Sequence, residues 1–206
     1  MKAVLKAFLL LVALGAVLVV GIFMWIGSRG ISARAEPGRV ETTVARTMRR
    51  LAIPRGDRNR QNPISATSEV IAAGMAHFAD HCAACHANDG SGETQIGLGL
   101  YPKPPDMRQT GTQLLSDGEL FYIIENGVRL TGMPAWGSAT PENGEETWHL
   151  VHFIRELPGL TPEQIEQMKQ LNPRPPAEIR QQLEEQRSLK NGDTPRPSPP
   201  SKPHVH

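Results

Sequence analysis

Cysteine is nearly absent from this chain: 206 residues contain only two, Cys82 and Cys85, three positions apart. No disulfide framework joining distant segments can be built from them, so the thiols act together at one place. Aromatic residues are scarce at 5%, which limits what side chains alone can fill. No stretch alternates apolar and polar residues convincingly with a period of two, so no sheet is expected, and there is no internal repeat. Net charge is almost missing as well, at +1, but the total hides two opposed blocks. Residues 67–158 hold 12 acidic side chains against 4 basic ones, and residues 28–66 hold nine arginines against Glu36, Glu41 and Asp57. The blocks therefore carry about −8 and +6 and point to different tasks.

What the chain has in abundance comes first. Residues 7–27 read AFLLLVALGAVLVVGIFMWIG, an apolar run without a charge. As a helix rising 1.5 Å per residue it matches the roughly 30 Å hydrocarbon layer of a bilayer. Trp25 near its far end suits a membrane interface. A cleaved signal peptide competes with this reading, since Ala33-Arg34-Ala35 offers a small-x-small site before Glu36. The run is longer than a signal core of 7–15 residues, which favours an uncleaved anchor over residues 1–27. Lys2 and Lys6 on one side are offset by Arg29, Arg34 and Arg39 on the other, so charge does not orient it.

Residues 28–66 form a basic connector. Val40, Val44, Met48 and Leu51 fall on one helical face, with Arg39, Arg46, Arg49 and Arg50 opposite. Pro54 would stop that helix. Three fates are open to it: lying on anionic headgroups, packing on the acidic block, or staying in solvent. If the whole connector is flexible its r.m.s. span is roughly 30–40 Å.

The folded domain is expected over residues 67–158, all-helical with long loops. A first helix carries Val70, Gly74, His77, Phe78 and His81 into Cys82. A second begins at Ser116 with Glu119 placed for a capping box and stops at Asn126-Gly127. A third follows Thr140-Pro141 and aligns Leu150, Phe153, Ile154 and Leu157. Gly- and Pro-rich loops cover 90–111 and 131–144. So much loop in about 90 residues leaves a small core, which a large apolar cofactor at the centre would complete. Beyond it, Thr161-Pro162-Glu163-Gln164 starts a helix with Ile165, Met168 and Leu171 on one side, and another is expected over about 176–189. These make up a helical extension over 159–190, followed by a Pro-rich disordered tail at 191–206.

The chemistry lies in Cys82-Ala83-Ala84-Cys85-His86. Two thiols at i and i+3 add to the two vinyl groups of one porphyrin, and the adjacent histidine then sits beneath the iron as its proximal ligand. Small alanines leave room for the ring edge. The competing readings are a redox dithiol, which lacks a surrounding βαβ pattern, and half a zinc site, which lacks a second cysteine pair. A mixed zinc site using His77, His81 or His86 also stands against it. For the opposite axial position Met133 is preferred, because Thr131-Gly132-Met133-Pro134-Ala135-Trp136 presents a thioether from a stiff loop. Met107 is second choice, Met75 and Met168 read as packing residues, and His149 and His152 are placed on a helix flank.

Gly74-x-x-x-Phe78-x-x-x-Cys82-x-x-Cys85-His86, with the later Gly-Met-Pro loop and a final aromatic helix, resembles a class I, monohaem cytochrome c of the membrane-anchored bacterial type. The resemblance spans residues 67–158. It implies one covalent haem c wrapped by helices with one edge exposed, and first and last helices crossing at Gly74 against Phe78, Leu150 and Phe153. It also implies that a carbonyl of Tyr101-Pro102-Lys103-Pro104-Pro105 accepts from the proximal imidazole. Trp136 is assigned either to a haem propionate or to core filling. The covalent link in such proteins is made outside the bacterial inner membrane. The resemblance therefore implies a single-pass protein with its haem domain on the periplasmic side.

With His86 and Met133 filling both axial positions, the expectation is one-electron transfer, not catalysis. The partners expected are the membrane and redox proteins with a basic face; no nucleic acid is expected. Two alternatives are a cytochrome subunit of a larger membrane oxidoreductase, and a haem enzyme or sensor with a labile distal ligand.

Overall fold

In a computed structural model the protein is described over residues 2–30, 32–137 and 144–174, with scattered helical positions from 178 to 190. Every regular element among them is helical. The apolar run lies within α1 (Lys2–Arg29). Within residues 2–28 the most apolar 18-residue stretch has a mean hydropathy of 2.9, and none of that stretch is buried. By length and composition α1 can cross a membrane.

The connector divides in two. Its first half is α2 (Arg39–Ala52), which has no buried residue. Its second half, through α3 (Arg55–Arg58), lies on the haem-motif body. Ile53 is 3% exposed. Asn62 donates to the Trp148 carbonyl at 3.0 Å, and His152 Nε2 meets the Ile64 carbonyl at 2.7 Å. The Arg60 guanidinium covers the Phe121 ring at 4.3 Å, with Phe121 stacked on Trp148. A cation over stacked aromatic faces is attracted by their negative quadrupoles. So the connector is not one flexible tether; only residues 30–38 separate α1 from α2.

The body begins with α4 (Ser68–His77), capped by the Thr67 hydroxyl, and runs through a π-helical turn (Phe78–Cys82) into α5 (Ala83–His86). Short helices α6 (Gln95–Leu98) and α7 (Thr110–Gln113) punctuate the long loop that follows. α8 (Asp117–Asn126) carries the anticipated capping box, with Glu119 N–H on the Ser116 hydroxyl and Ser116 N–H on the Glu119 carboxylate. α9 (Gly144–Glu156) follows. Its expected start at Thr140-Pro141 lies outside the described residues.

α4 and α9 cross at Gly74. A Cβ there would stand 2.3 Å from the His149 carbonyl oxygen and 3.0 Å from Phe153 Cβ. Only hydrogen fits, and the backbones close up on that account. One turn on, Phe78 meets Phe153 with ring centroids 5.3 Å apart and tilted by 57°. Phe78, Leu150, Val151 and Phe153 are 2% exposed or less, each contributing roughly 1.5–3 kcal/mol by burial.

The packed body does not stop at residue 158. After a 3-10 turn (Leu157–Gly159), α10 (Pro162–Leu171) opens with a Thr161/Gln164 capping box and lays Met168, fully buried, into the same core. The Pro-rich tail at 191–206 lies outside the described residues, and the helix expected at 176–189 falls only partly within them.

Candidate functional site

The Cys-Ala-Ala-Cys-His turn is built by the wider π turn that ends at Cys82. An i→i+5 turn inserts one residue into the helical ladder and rotates everything after it, a device common at functional sites. It carries the chain from the Phe78 side of the core to Cys82, which is half-buried, as is Cys85. Ala83 is buried and Ala84 exposed. The two thiols are free.

A helix as short as α5 leaves its last carbonyls without helical partners. The following loop turns back onto all four. Ala87 N–H reaches the Ala83 carbonyl at 2.9 Å and Gly92 N–H the His86 carbonyl at 2.8 Å. The Thr94 hydroxyl lies 2.8 Å from the Ala84 carbonyl and 3.4 Å from that of Cys85. This return needs backbone freedom: Gly90 and Gly92 have φ of 75° and 78°. A Cβ on Gly97 would lie 2.5 Å from the Cys85 carbonyl oxygen. The loop is then clamped by Arg108, which donates to Asp89 at 2.8 Å and to both Asp106 oxygens at 2.8 and 3.0 Å. The Arg108 guanidinium holds the Asp106 carboxyl down at about 2.

His86 is 7% exposed, and its Nδ1 is buried without a hydrogen-bond partner. The anticipated acceptor in the stretch 101–105 does not reach it. The Pro104 carbonyl lies close to Gly92, where an added Cβ would stand 2.9 Å from its oxygen. Burial lowers the imidazole's pKa to about 4, so it is a neutral ring with a lone pair at physiological pH. Burial, together with the neighbouring Cys85, pushes the Cys82 thiol up to about 12. That is the opposite of what a redox dithiol requires. Among the described residues no group of three His, Cys, Asp or Glu side chains is arranged to hold a metal ion, which removes the mixed zinc site.

Met133 lies on a loop folded back against the end of α8. Val128 N–H donates to the Met133 carbonyl, and Trp136 and Gly137 N–H donate to the Ile124 and Glu125 carbonyls. Gly127, at φ 65°, is where the loop closes: a Cβ there would lie 2.6 Å from the Ala135 nitrogen. Gly132 rests against Leu100, so the Met133 loop meets the loop returning from the cysteine turn. Trp136 is 40% exposed and not a core residue; its ring stands edge-on to His81, centroids 5.4 Å apart. The loop bearing Met133 is thereby seated beside the residue preceding Cys82. Of the other methionines considered, Met168 lies in the core and Met75 and Met107 pack against it. His149 faces Glu145, and His152 is taken up by Ile64.

The π turn, the Thr94 and Gly97 supports and the Arg108 clamp were not anticipated. The Asp106-x-Arg108 pair was visible as a local ion pair, but its reach to Asp89 depends on the loop's return. A cavity of about 470 Å³ lined by Asp57, Arg60, Phe121, Tyr122, Glu125, Asn126 and Gly137 includes none of the cysteine-turn residues.

These residues fit a covalently held porphyrin: two free, half-buried thiols on one turn, small residues between them, and a buried imidazole whose Nδ1 no protein group engages. The family described as "Cytochrome C oxidase, cbb3-type, subunit III" matches residues 69–154, somewhat under half of the chain. No curated protein matches the chain. Residues 69–154 therefore form a cytochrome c domain, in a chain whose described elements are all helical and whose first is an apolar helix long enough to span a membrane.

Proposed function

We propose that this chain is a membrane-anchored one-electron carrier whose single haem c is held by Cys82 and Cys85, with His86 and Met133 as axial ligands. Bound there, the haem iron supplies reversible one-electron oxidation and reduction. The observation that carries the reading is the buried, neutral His86 directly after two half-buried thiols, in the segment matched by a cytochrome family. The protein's own share is positional. Thr94, Gly92 and Arg108 hold the turn rigid, and the α8 carbonyls fix the Met133 loop. Met133 is favoured because Met75, Met107 and Met168 belong to the core, while Met24 and Met48 lie exposed on α1 and α2. With both axial positions taken by protein, no site is left for a substrate. The anchor then runs from the cytoplasm outwards, with the domain on the periplasmic side.

A spectrum of the full chain made with haem-attaching machinery tests this. The denatured, solvent-extracted polypeptide should keep its haem band. Met133→Ala should abolish the sulfur-to-iron band of the oxidised protein and lower its potential. An unchanged spectrum in that variant would favour an enzyme or sensor with a labile distal ligand.

A second reading, favoured by the family's description, is that the carrier is a cytochrome subunit of a terminal oxidase. Copurification of other subunits at fixed stoichiometry decides for it. The acidic block favours a basic partner face, so transfer rates should fall with added salt.

A further inference from the structure

The apolar stripe of α2 has no partner among the described residues. Val40, Val44, Met48 and Leu51 are 79%, 55%, 61% and 68% exposed, far above what a helix packed on its own domain shows. They recur at i, i+4, i+8 and i+11, so they form one continuous face about three turns long. The helix is not simply unattached. Its leading segment is tied to the loop that follows the cysteine turn: Glu36 pairs with Lys103, and Glu41 accepts from the Tyr101 hydroxyl. At its other end, the Arg58 side chain donates to the Ile53 carbonyl at 3.1 Å. α2 is therefore tied to the domain at its leading end, and at the other to α3, on which Ser116 of the domain donates to the Arg58 carbonyl, while its apolar face stays open.

Charge identifies what fits that face. The two carboxylates of residues 30–52 are the two that the domain takes up. What α2 and its approach leave outward is basic: Arg34, Arg39, Arg46 and Arg50. Distance narrows it further. Nine residues join the end of α1 to the start of α2, a reach of at most about 32 Å fully extended. A basic amphipathic helix held that close to a membrane-spanning helix has an anionic bilayer surface within reach as soon as α1 inserts.

We infer that α2 is an interfacial helix: Val40, Val44, Met48 and Leu51 insert among the lipids of an anionic leaflet, with the arginines among the headgroups. Through Tyr101 and Lys103, α2 holds the cytochrome domain in a set orientation at the membrane surface, so the domain does not range freely. This rests on the anchored reading above, but fails separately from it.

The test uses the full holoprotein in vesicles of phosphatidylglycerol and phosphatidylcholine, with a nitroxide placed by Met48→Cys or, on the opposite face, Arg46→Cys. The parent holoprotein, whose two cysteines Cys82 and Cys85 are both consumed as thioethers to the haem, reports any background labelling to subtract. Flotation with the vesicles checks the anchor on its own. The expected result is that the label at 48 collides several-fold more with oxygen, and several-fold less with a water-soluble nickel chelate, than the label at 46. Replacing phosphatidylglycerol by phosphatidylcholine should shrink that contrast. A chain that floats but shows equal nickel access at both positions overturns the proposal, leaving the stripe in water. A label at 48 shielded from both reagents overturns it in favour of a protein partner or a second copy. A contrast unchanged without anionic lipid overturns the role of the arginines. A chain that does not float defeats the anchored reading itself.

Discussion

α2 and α10 flank the cytochrome domain and look alike in sequence: each is a short amphipathic helix outside the part resembling a cytochrome c. Their fates differ. α10 buries Met168 completely in the domain core, whereas α2 leaves Met48 61% exposed. Both stripes have the same period and comparable side chains. What separates them is the surface each meets. α10 follows α9 after only a 3-10 turn and lands against the π turn and α4, where a methionine completes the packing. α2 is separated from the body by Pro54 and α3, and it is the α3 segment, with Ile53, Asn62 and Ile64, that takes up the available surface. Amphipathicity states that a helix has a face to cover; neighbouring shape decides whether the chain covers it itself.

The comparison can be broken by substitution, with stability read as chemical unfolding in detergent. Gly74→Val, in the core α10 joins, should have the largest effect, about 3 kcal/mol, because the first added carbon already overlaps the His149 carbonyl. Met168→Ala should lose about 2 kcal/mol, the lower end of the range for emptying a buried methionine site, because α10 lies at the margin of the core. A loss near zero would mean that α10 is no more integrated than α2. The Arg108 clamp is smaller and depends on pH. Asp106 has a folded pKa of about 2, below its ordinary 3.8, so its contribution is complete above about pH 4 and disappears as pH falls through 2. Solvent exposure keeps it under about 1 kcal/mol. Arg108→Gln should flatten the acid side of the stability profile within that window, and should leave the profile near neutrality parallel to the parent's. Smallest of all, Val44→Ser and Met48→Ser should each change stability by less than about 0.5 kcal/mol, since neither side chain is buried. A larger loss in detergent would show that α2 packs on the domain after all.

Much of the domain was legible in the chain because its signals are local. The Ser116/Glu119 and Thr161/Gln164 boxes declare themselves within four residues, and the stop at Asn126-Gly127 within two. Gly74 was legible through resemblance, and the contact with the His149 carbonyl shows its physical basis. The supports of the cysteine turn were not legible. Thr94 and Gly97 are unremarkable until the loop doubles back beneath Cys85, and no periodicity marks a π turn. The carbonyl expected for His86 from the stretch 101–105 was inferred from the resemblance, and His86 Nδ1 has no hydrogen-bond partner.

By itself the sequence determined the elements whose cause lies within a few residues: the apolar span of α1, the capped helices, and two thiols and an imidazole on one turn. Spacing along a helix is set by backbone geometry alone. Only the tertiary structure decided that residues 53–64 and α10 belong to the body, that Trp136 seats the Met133 loop beside His81, and that the α2 stripe stays open. Burial is a property of two surfaces meeting, and no single segment encodes its partner.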